Sequence, residues 1–172
     1  ATGYSPIKLV SASQSQQDAV KTSSYDWFVF RYAEILLIYA EAKCELGECT
    51  QAVLDETINK LRDRVEMKHL TVSPVADLNP VDYGYSITPL LYEIRRERRI
   101  EFAFEGKRYD DIRRWGIGNE TNQGTIYGAW NPNEGSYVTI ETRNCVFPKF
   151  DSWPLHQQEV TANPNIKQPT GW

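Results

Sequence analysis

The densest chemistry in this 172-residue sequence is the run Tyr92-Glu-Ile-Arg-Arg-Glu-Arg-Arg-Ile-Glu-Phe-Ala-Phe-Glu-Gly-Lys-Arg-Tyr-Asp-Asp-Ile-Arg-Arg-Trp115. Three chemistries compete for its charges. On a solvated helix face, Glu93 with Arg96 and Arg98 with Glu101 lie three residues apart and compensate one another. Turned inward, Arg95, Arg98, Glu97, Glu101 and Glu105 need partners, because Leu91, Ile94, Phe102 and Phe104 occupy alternate sides of the same segment. The planar guanidinium suits that task, since it holds carboxylates or free helix carbonyls with several donors at once and locks neighbouring helices in register. Arg113-Arg114-Trp115 would pin the next short helix in the same way. Phosphate or nucleic-acid binding is the third chemistry, and the interleaved Glu97, Glu101, Glu105, Asp110 and Asp111 would cancel most of its field.

A second group consists of aromatic residues placed in polar, glycine-rich sequence. Tyr127, Trp130 and Tyr137 stand among Asn131, Asn133 and several glycines, and Tyr83 and Tyr85 flank Gly84. With aromatics at 12% of the chain, these positions suggest a recognition surface. The alternative is that the rings cover a small hairpin and the helices beneath it.

Other chemistries find little support. Asp110 and Asp111 are adjacent and point different ways on a helix, whereas a glycosidase needs two facing carboxyls about 5 to 9.5 Å apart. His69 and His156 are far apart, and Cys44, Cys49 and Cys145 contain no Cys-x-x-Cys pair, so neither a metal site nor a cofactor is expected. Three cysteines make a poor disulfide framework, although Cys44 and Cys49 flank a helix end closely enough to leave a bridge open. No nucleophile elbow or phosphate-binding glycine loop is present, and His156 beside Gln157-Gln158 reads as a surface residue. A net charge of −4 offers no basic field for nucleic acid, and no stretch has the roughly 18 apolar residues of a membrane span.

The elements that must position these residues are mostly helical. After a polar lead-in, 1–30, in which Tyr4 to Val10 suits one short extended segment, Arg31 to Gly47 is rich in helix formers and closed by glycine. Its apolar residues nearly encircle it, with Ile35, Leu36, Tyr39, Ala42 and Leu46 on one stripe and Ala33, Leu37, Ala40 and Cys44 on another. Such a helix packs between neighbours. Thr50 caps a second helix carrying Leu54, Ile58, Leu61 and Val65, which completes a helical hairpin of tetratricopeptide size. His69 to Ile87 is a long loop. Thr88-Pro89 opens a helix that runs to Glu105 and stops at Gly106, and Arg108 to Trp115 forms a short one. Beyond Gly116 the pattern is irregular, with a small hairpin expected from Tyr137–Glu141 and Asn144–Phe147 turning near Arg143, and then an extended, docked tail.

Four blocks now resemble, in order, the C-terminal part of SusD/RagB-like proteins: Arg31-Tyr-Ala-Glu-Ile-Leu-Leu-Ile-Tyr-Ala-Glu-Ala42, Ile58-Asn-Lys-Leu-Arg-Asp-Arg-Val65, Ile94 to Trp115, and Asn163-Pro-Asn-Ile-Lys-Gln-Pro-Thr-Gly-Trp172. Thr2-Gly3-Tyr4 resembles the family's lead-in. Trp153-Pro-Leu-His-Gln-Gln-Glu159 departs from the family's pattern by placing His156 where a second proline usually stands. The resemblance implies a mainly α fold of tetratricopeptide-like helical hairpins with irregular loops and a small β-hairpin, residues 31–172 forming the C-terminal domain of a longer chain. It implies no enzyme and no cofactor. The family's surface-exposed, lipid-anchored outer-membrane proteins bind oligosaccharide or polysaccharide and work with a SusC-like TonB-dependent transporter. Signal peptide, lipidated cysteine and an N-terminal part that would pack against this one are expected outside the sequence. Under the resemblance, Tyr127, Trp130, Asn131, Asn133, Tyr137, Tyr83 and Tyr85 become candidate sugar contacts, because flat rings stack on pyranose C–H faces and amides take the hydroxyls. Arg95, Arg98, Glu101, Gly106, Arg113 and Trp115 become scaffold. A helical-repeat module that binds only another protein is the competing expectation.

Overall fold

A computed structural model describes residues 7–8, 10–11, 13–19, 24, 28–147 and 149–172. The Thr2-Gly3-Tyr4 block, Trp27 and part of the segment from Tyr4 to Val10 lie outside the described residues. The elements are α1 (Gln14–Asp18), α2 (Tyr32–Glu45), α3 (Gln51–Glu56), α4 (Ile58–Asp63), α5 (Pro89–Glu101), α6 (Arg108–Trp115), α7 (Gly118–Thr121), strands β1 (Gln123–Asn131) and β2 (Ser136–Asn144), a 3-10 turn at Lys149–Asp151, and α8 (Gln157–Ala162). They form two compact units, one of Pro6–Pro80 with Ser86–Arg108, the other containing Val81–Tyr85 and Tyr109–Trp172.

In the helical unit, α2 ends as its sequence dictates. Gly47 has φ +71°, its N–H bonds the Cys44 carbonyl at 3.0 Å, and the Glu48 N–H bonds that of Lys43 at 2.8 Å. This pair of bonds is a Schellman turn, which glycine enters without a Cβ clash. Ala33, Leu36, Leu37 and Ala40 join Leu54, Ile58, Leu61, Leu70, Ile94 and Phe102 in one apolar cluster. Among the described residues only one side of α2 is covered. Leu36 is buried, but Ile35, Ile38 and Tyr39 are 59%, 49% and 43% exposed.

The second helix of the hairpin is two helices. Thr57, wholly buried, turns its hydroxyl to the Val53 carbonyl at 2.5 Å, and its backbone at φ −124° and ψ −90° leaves the helical region. A threonine that bonds the carbonyl four residues back competes with the backbone ladder. Downstream, Asn59 accepts from the Leu70 N–H at 2.7 Å and donates to the Leu70 carbonyl at 3.1 Å. That two-point bond presses Leu70 into the core from the loop.

α5 begins as its sequence requires, with Thr88 accepting from the Leu91 N–H and Pro89 in the first turn. It ends at Glu101, four residues before the expected stop, because Phe102 turns into the core and 3-10-type bonds join Ala103 to Ile100 and Glu105 to Phe102. Phe104 therefore sits at φ +67°, 67% exposed, and is no core residue.

The inward charges of α5 are real and each has a partner. Arg95 bonds Glu41 at 3.2 Å and Glu45 at 3.0 Å. Arg98 lies 4.0 Å from Glu34, which also takes Lys107 at 3.2 Å. Arg62 of α4 bonds Glu97 at 2.7 Å, and Arg64 bonds Glu101 at 2.8 Å. Arg31 reaches Glu101 at 2.5 Å and Glu105 at 2.8 Å, while its guanidinium and that of Arg98 lie over the Phe102 ring at 4.6 and 5.0 Å. Burial alone would raise the Glu105 carboxyl, but bonds to Arg31 and Lys8 hold it below its ordinary value.

The second unit is built on Ile112, Trp115, Ile117 and Tyr83, all buried. Its hairpin differs from the expected one. Tyr137–Glu141 does lie in a strand, but the partner is Gln123–Asn131, read from sequence as irregular, and the turn is Pro132–Gly135 rather than Arg143. The tail carries α8, capped by His156, whose Nδ1 accepts from the Gln158 N–H. It docks where Gln168 bonds both backbone groups of Leu155, and where the Trp172 indole donates to the Lys149 and Ser152 carbonyls.

Two outcomes follow from the charged core. Glu41→Gln leaves the buried Arg95 short of a charge and is expected to cost about 3 kcal/mol in chemical denaturation. A depressed carboxyl stabilises the fold fully above its unfolded value, 4.5 for Glu105, and loses that contribution as pH falls through the lower folded value. Glu105→Gln should therefore melt below the parent at pH 7, with the gap closing in melts taken at successively lower pH below 4.5.

Candidate functional site

The exposed aromatics of the β-hairpin gather on one face because the hairpin is irregular. Strand side chains alternate, so Tyr127 and Trp130, three residues apart, would ordinarily point to opposite faces. Here Tyr127 pairs with Thr139 and Trp130 with Tyr137, three residues on β1 facing two on β2, which is a bulge. It restores Trp130 to the face of Tyr127. A second irregularity, between Ile126 paired with Glu141 and Tyr127 paired with Thr139, places an extra residue on β2. Gly128 lies in the bulged stretch, and a Cβ there would come within 2.8 Å of the Ile140 side chain.

The rings meet as a result. Trp130 and Tyr137 lie 5.1 Å apart at 75°, an edge-to-face pair, and Tyr127 lies 6.5 Å from Tyr137. Such pairs hold a hairpin together, yet Tyr127, Trp130 and Tyr137 stay 61%, 53% and 58% exposed. At the tip, the Asn131 side chain accepts from the Asn133 N–H at 3.1 Å, Glu134 N–H bonds the Asn131 carbonyl, and Gly135 takes φ +62°. This turn sets the exposed Asn133 beside the strand ends. Two near-perpendicular rings with open surface, followed by amides at a turn, can accept a flat, hydroxyl-rich ligand by stacking and hydrogen bonding.

The other aromatic candidates divide. Tyr83 is 6% exposed and stacks on Trp115 at 6.1 Å and 18°, so that ring is committed to packing. Tyr85 is 45% exposed and donates its hydroxyl to the Trp115 carbonyl at 2.8 Å. Gly84 between them takes φ +74° and bonds the Asp82 carboxylate through its N–H. Of the scaffold candidates in this unit, Trp115 is buried under the Arg114 guanidinium at 4.7 Å, and Arg113 donates to the Asp151 carbonyl with its guanidinium 5.7 Å from the Tyr109 ring. Gly106, in the other unit, takes φ +77° in the turn before α6. Asp111 is buried and bonds Arg114 at 2.8 Å, while Asp110 is exposed.

Trp153, 84% exposed, is an aromatic that sequence reasoning left inside a tail motif. Among the described residues no group of three or more His, Cys, Asp or Glu comes together, and no helix is long and apolar enough to cross a membrane. The helical unit also has an open cleft of about 340 Å³ bordered by Lys68, His69, Thr71 and Asp77, but its guanidiniums are taken, Arg62 by Glu97 and Arg96 by Glu93.

The sequence pattern of the SusD family matches residues 1–172. The chain is 38% identical over 151 residues to SusD-like protein P2 of Formosa agariphila, an alignment covering 85% of this chain and 26% of that protein. It is 27% identical over 180 residues to SusD-like protein P38 of the same organism, covering 96% of this chain and 31% of the relative. The crystal structure of a SusD-like protein from Bacteroides fragilis superposes with a TM-score of 0.66 at 33% identity, over 85% of this chain and 26% of that one. The chain thus spans about a quarter to a third of the length of these relatives.

The packing predicts a clean separation of roles in thermal and chemical denaturation. Tyr83→Ala, which empties a buried stack, should cost about 3 to 5 kcal/mol. Trp130→Ala, which trims a half-exposed edge-to-face pair, should cost about 1 kcal/mol.

Proposed function

The chain belongs to the SusD family, and from that membership we propose that it is the C-terminal part of a surface protein that captures glycan for uptake, with the hairpin face as a sugar contact. The family is linked to glycan binding in nutrient uptake, its members being typically outer-membrane lipoproteins. The observation that carries the site is the bulge that gathers Tyr127, Trp130 and Tyr137 on one face and leaves them exposed. Pyranose C–H faces would stack on the Trp130 and Tyr137 rings, and Asn131 and Asn133 would take hydroxyls near the turn. Tyr85 is a further contact, whereas Tyr83 supports it from beneath. The bound oligosaccharide would pass to a SusC-like TonB-dependent transporter, with the longer protein held at the membrane by an N-terminal lipid.

The competing reading, a helical module that binds only protein, draws on the open face of α2 at Ile35, Ile38 and Tyr39. In the glycan reading that face would meet the N-terminal part of the same protein. Isothermal titration of the full-length protein against a polysaccharide panel decides between them. Trp130→Ala is expected to weaken glycan binding by about 5- to 150-fold, the value of one lost stacking platform of roughly 1 to 3 kcal/mol, with a melting temperature lowered by only about 2 to 4 °C. No binding to any glycan in the panel overturns the proposal.

A further inference from the structure

Trp153 is 84% exposed, yet the backbone that carries it is held on both sides. Before it, four successive carbonyls each accept from a side chain. The single indole N–H of Trp172 is shared between the Lys149 carbonyl at 2.9 Å and the Ser152 carbonyl at 3.0 Å. The Tyr109 hydroxyl donates to the Phe150 carbonyl, and the Arg113 guanidinium to that of Asp151. Trp172 can close on this turn because Gly171, at φ +94°, lies so near that a Cβ would come within 2.9 Å of the Lys149 Cβ. The Lys149 ammonium in turn lies 4.4 Å from the centre of the Trp172 ring. After Trp153, Gln168 bonds the Leu155 N–H at 2.9 Å and the Leu155 carbonyl at 2.8 Å. Between the two clamps, Pro154 fixes its own φ and keeps Trp153 out of the helical region.

The indole is therefore displayed by an ordered segment. An aromatic whose backbone is already fixed loses little further entropy on burial, and tryptophan in that state is the usual anchor of a protein interface. Nearly the whole residue is open, which is more surface than one stacked sugar face covers, and Leu155 two positions on is 41% exposed beside it in sequence. Enclosing an entire indole takes a pocket in a protein. A partner joined to the same chain reaches it without the translational cost that a separate molecule bears. Such a partner has room to exist, since the alignments cover only 26% to 31% of the relatives' length.

We propose that Trp153 is the anchor on which the N-terminal part of the longer protein docks against the second unit, the indole entering an apolar pocket of that part and Leu155 joining the contact. The proposal rests on reading the chain as the C-terminal part of such a protein, and not on glycan binding. The clamp then has a purpose, because Tyr109, Arg113, Gln168 and Trp172 hold the ring in its docking position before the partner arrives.

The test uses the full-length protein without glycan. Trp153→Ala should lower its melting temperature by about 5 to 10 °C, as loss of a buried tryptophan does, and Trp153→Phe should restore most of that loss. Hydroxyl-radical oxidation read by peptide mass spectrometry needs no variant, and the parent should be oxidised at Trp153 far more slowly than the same protein in denaturant. Oxidation of Trp153 at the rate of the denatured chain, or an unchanged melting temperature in Trp153→Ala, overturns the proposal. Protection that disappears on dilution also overturns it, since the ring would then be covered by a second copy. So does weaker glycan binding by Trp153→Ala at unchanged melting temperature, which would make the ring a sugar platform. A protected Trp153 in a protein that binds no glycan upholds the docking and overturns the uptake reading alone, so the two fail separately.

Discussion

The helical unit is governed by two guanidiniums that have been taken out of water. Arg95 and Arg98 project from α5 into the interface with α2, both 6% exposed, and α5 has no stable position that leaves them unpaired. The carboxylates that meet them, Glu41 for Arg95 and Glu34 for Arg98, stand two turns apart on α2. A shift of either helix by one turn would break both pairs together. Desolvation offsets much of the attraction in such pairs, so they select one register more than they deepen the energy minimum. Leu37, Ala40, Ile94 and Phe102 supply the apolar burial that the register then permits.

That register explains why α2 is buried on the face it buries. A helix with apolar residues on most sides has several ways to pack, and apolar pattern alone does not choose among them. Glu34 and Glu41 choose, because they must face α5. Ala33, Leu36, Leu37 and Ala40 turn inward with them, and Ile35, Ile38 and Tyr39 are left on the far side. Phe102 is drawn in by the same constraint. Its ring packs against the guanidiniums of Arg31 and Arg98, and turning it inward ends α5 before Gly106.

What the sequence disclosed tracks how local the cause is. Gly47, Thr50 and Thr88-Pro89 act within a few residues, and the helix ends they mark lie where those residue types require. The break at Thr57 is also local, but it turns on which acceptor one hydroxyl finds, and the flanking helix formers hide it. The β-hairpin was half legible. Tyr137–Glu141 alternates and reads as a strand, whereas Gln123–Asn131 has two glycines and two bulge irregularities in its pairing and carries no period. Tyr83 and Tyr85 could not be told apart in sequence, since the ring that Tyr83 stacks on, Trp115, lies far along the chain. The grouping of Tyr127, Trp130 and Tyr137 was legible as composition but not as geometry, because the bulge that aligns them is a property of the pairing and not of either strand.

An isolated two-stranded sheet is marginal in water, and this one has little of its own to bury. Its cross-strand aromatic pair is therefore part of what keeps the hairpin formed, through the edge-to-face contact of Trp130 with Tyr137. The geometry that supplies this stability uses a ring edge against a ring face and leaves other ring surface open to solvent. A coplanar stack of the same residues would hide more surface and offer less. Pairing the rings at 75° lets one contact serve the hairpin while its outer surface stays available to a ligand. The helical unit solves the opposite problem, since the guanidiniums of Arg31, Arg62, Arg95 and Arg96 are taken up by carboxylates. In the proposed glycan reading, recognition chemistry falls to the hairpin, and the charged helix that dominates the sequence serves as scaffold within its own unit.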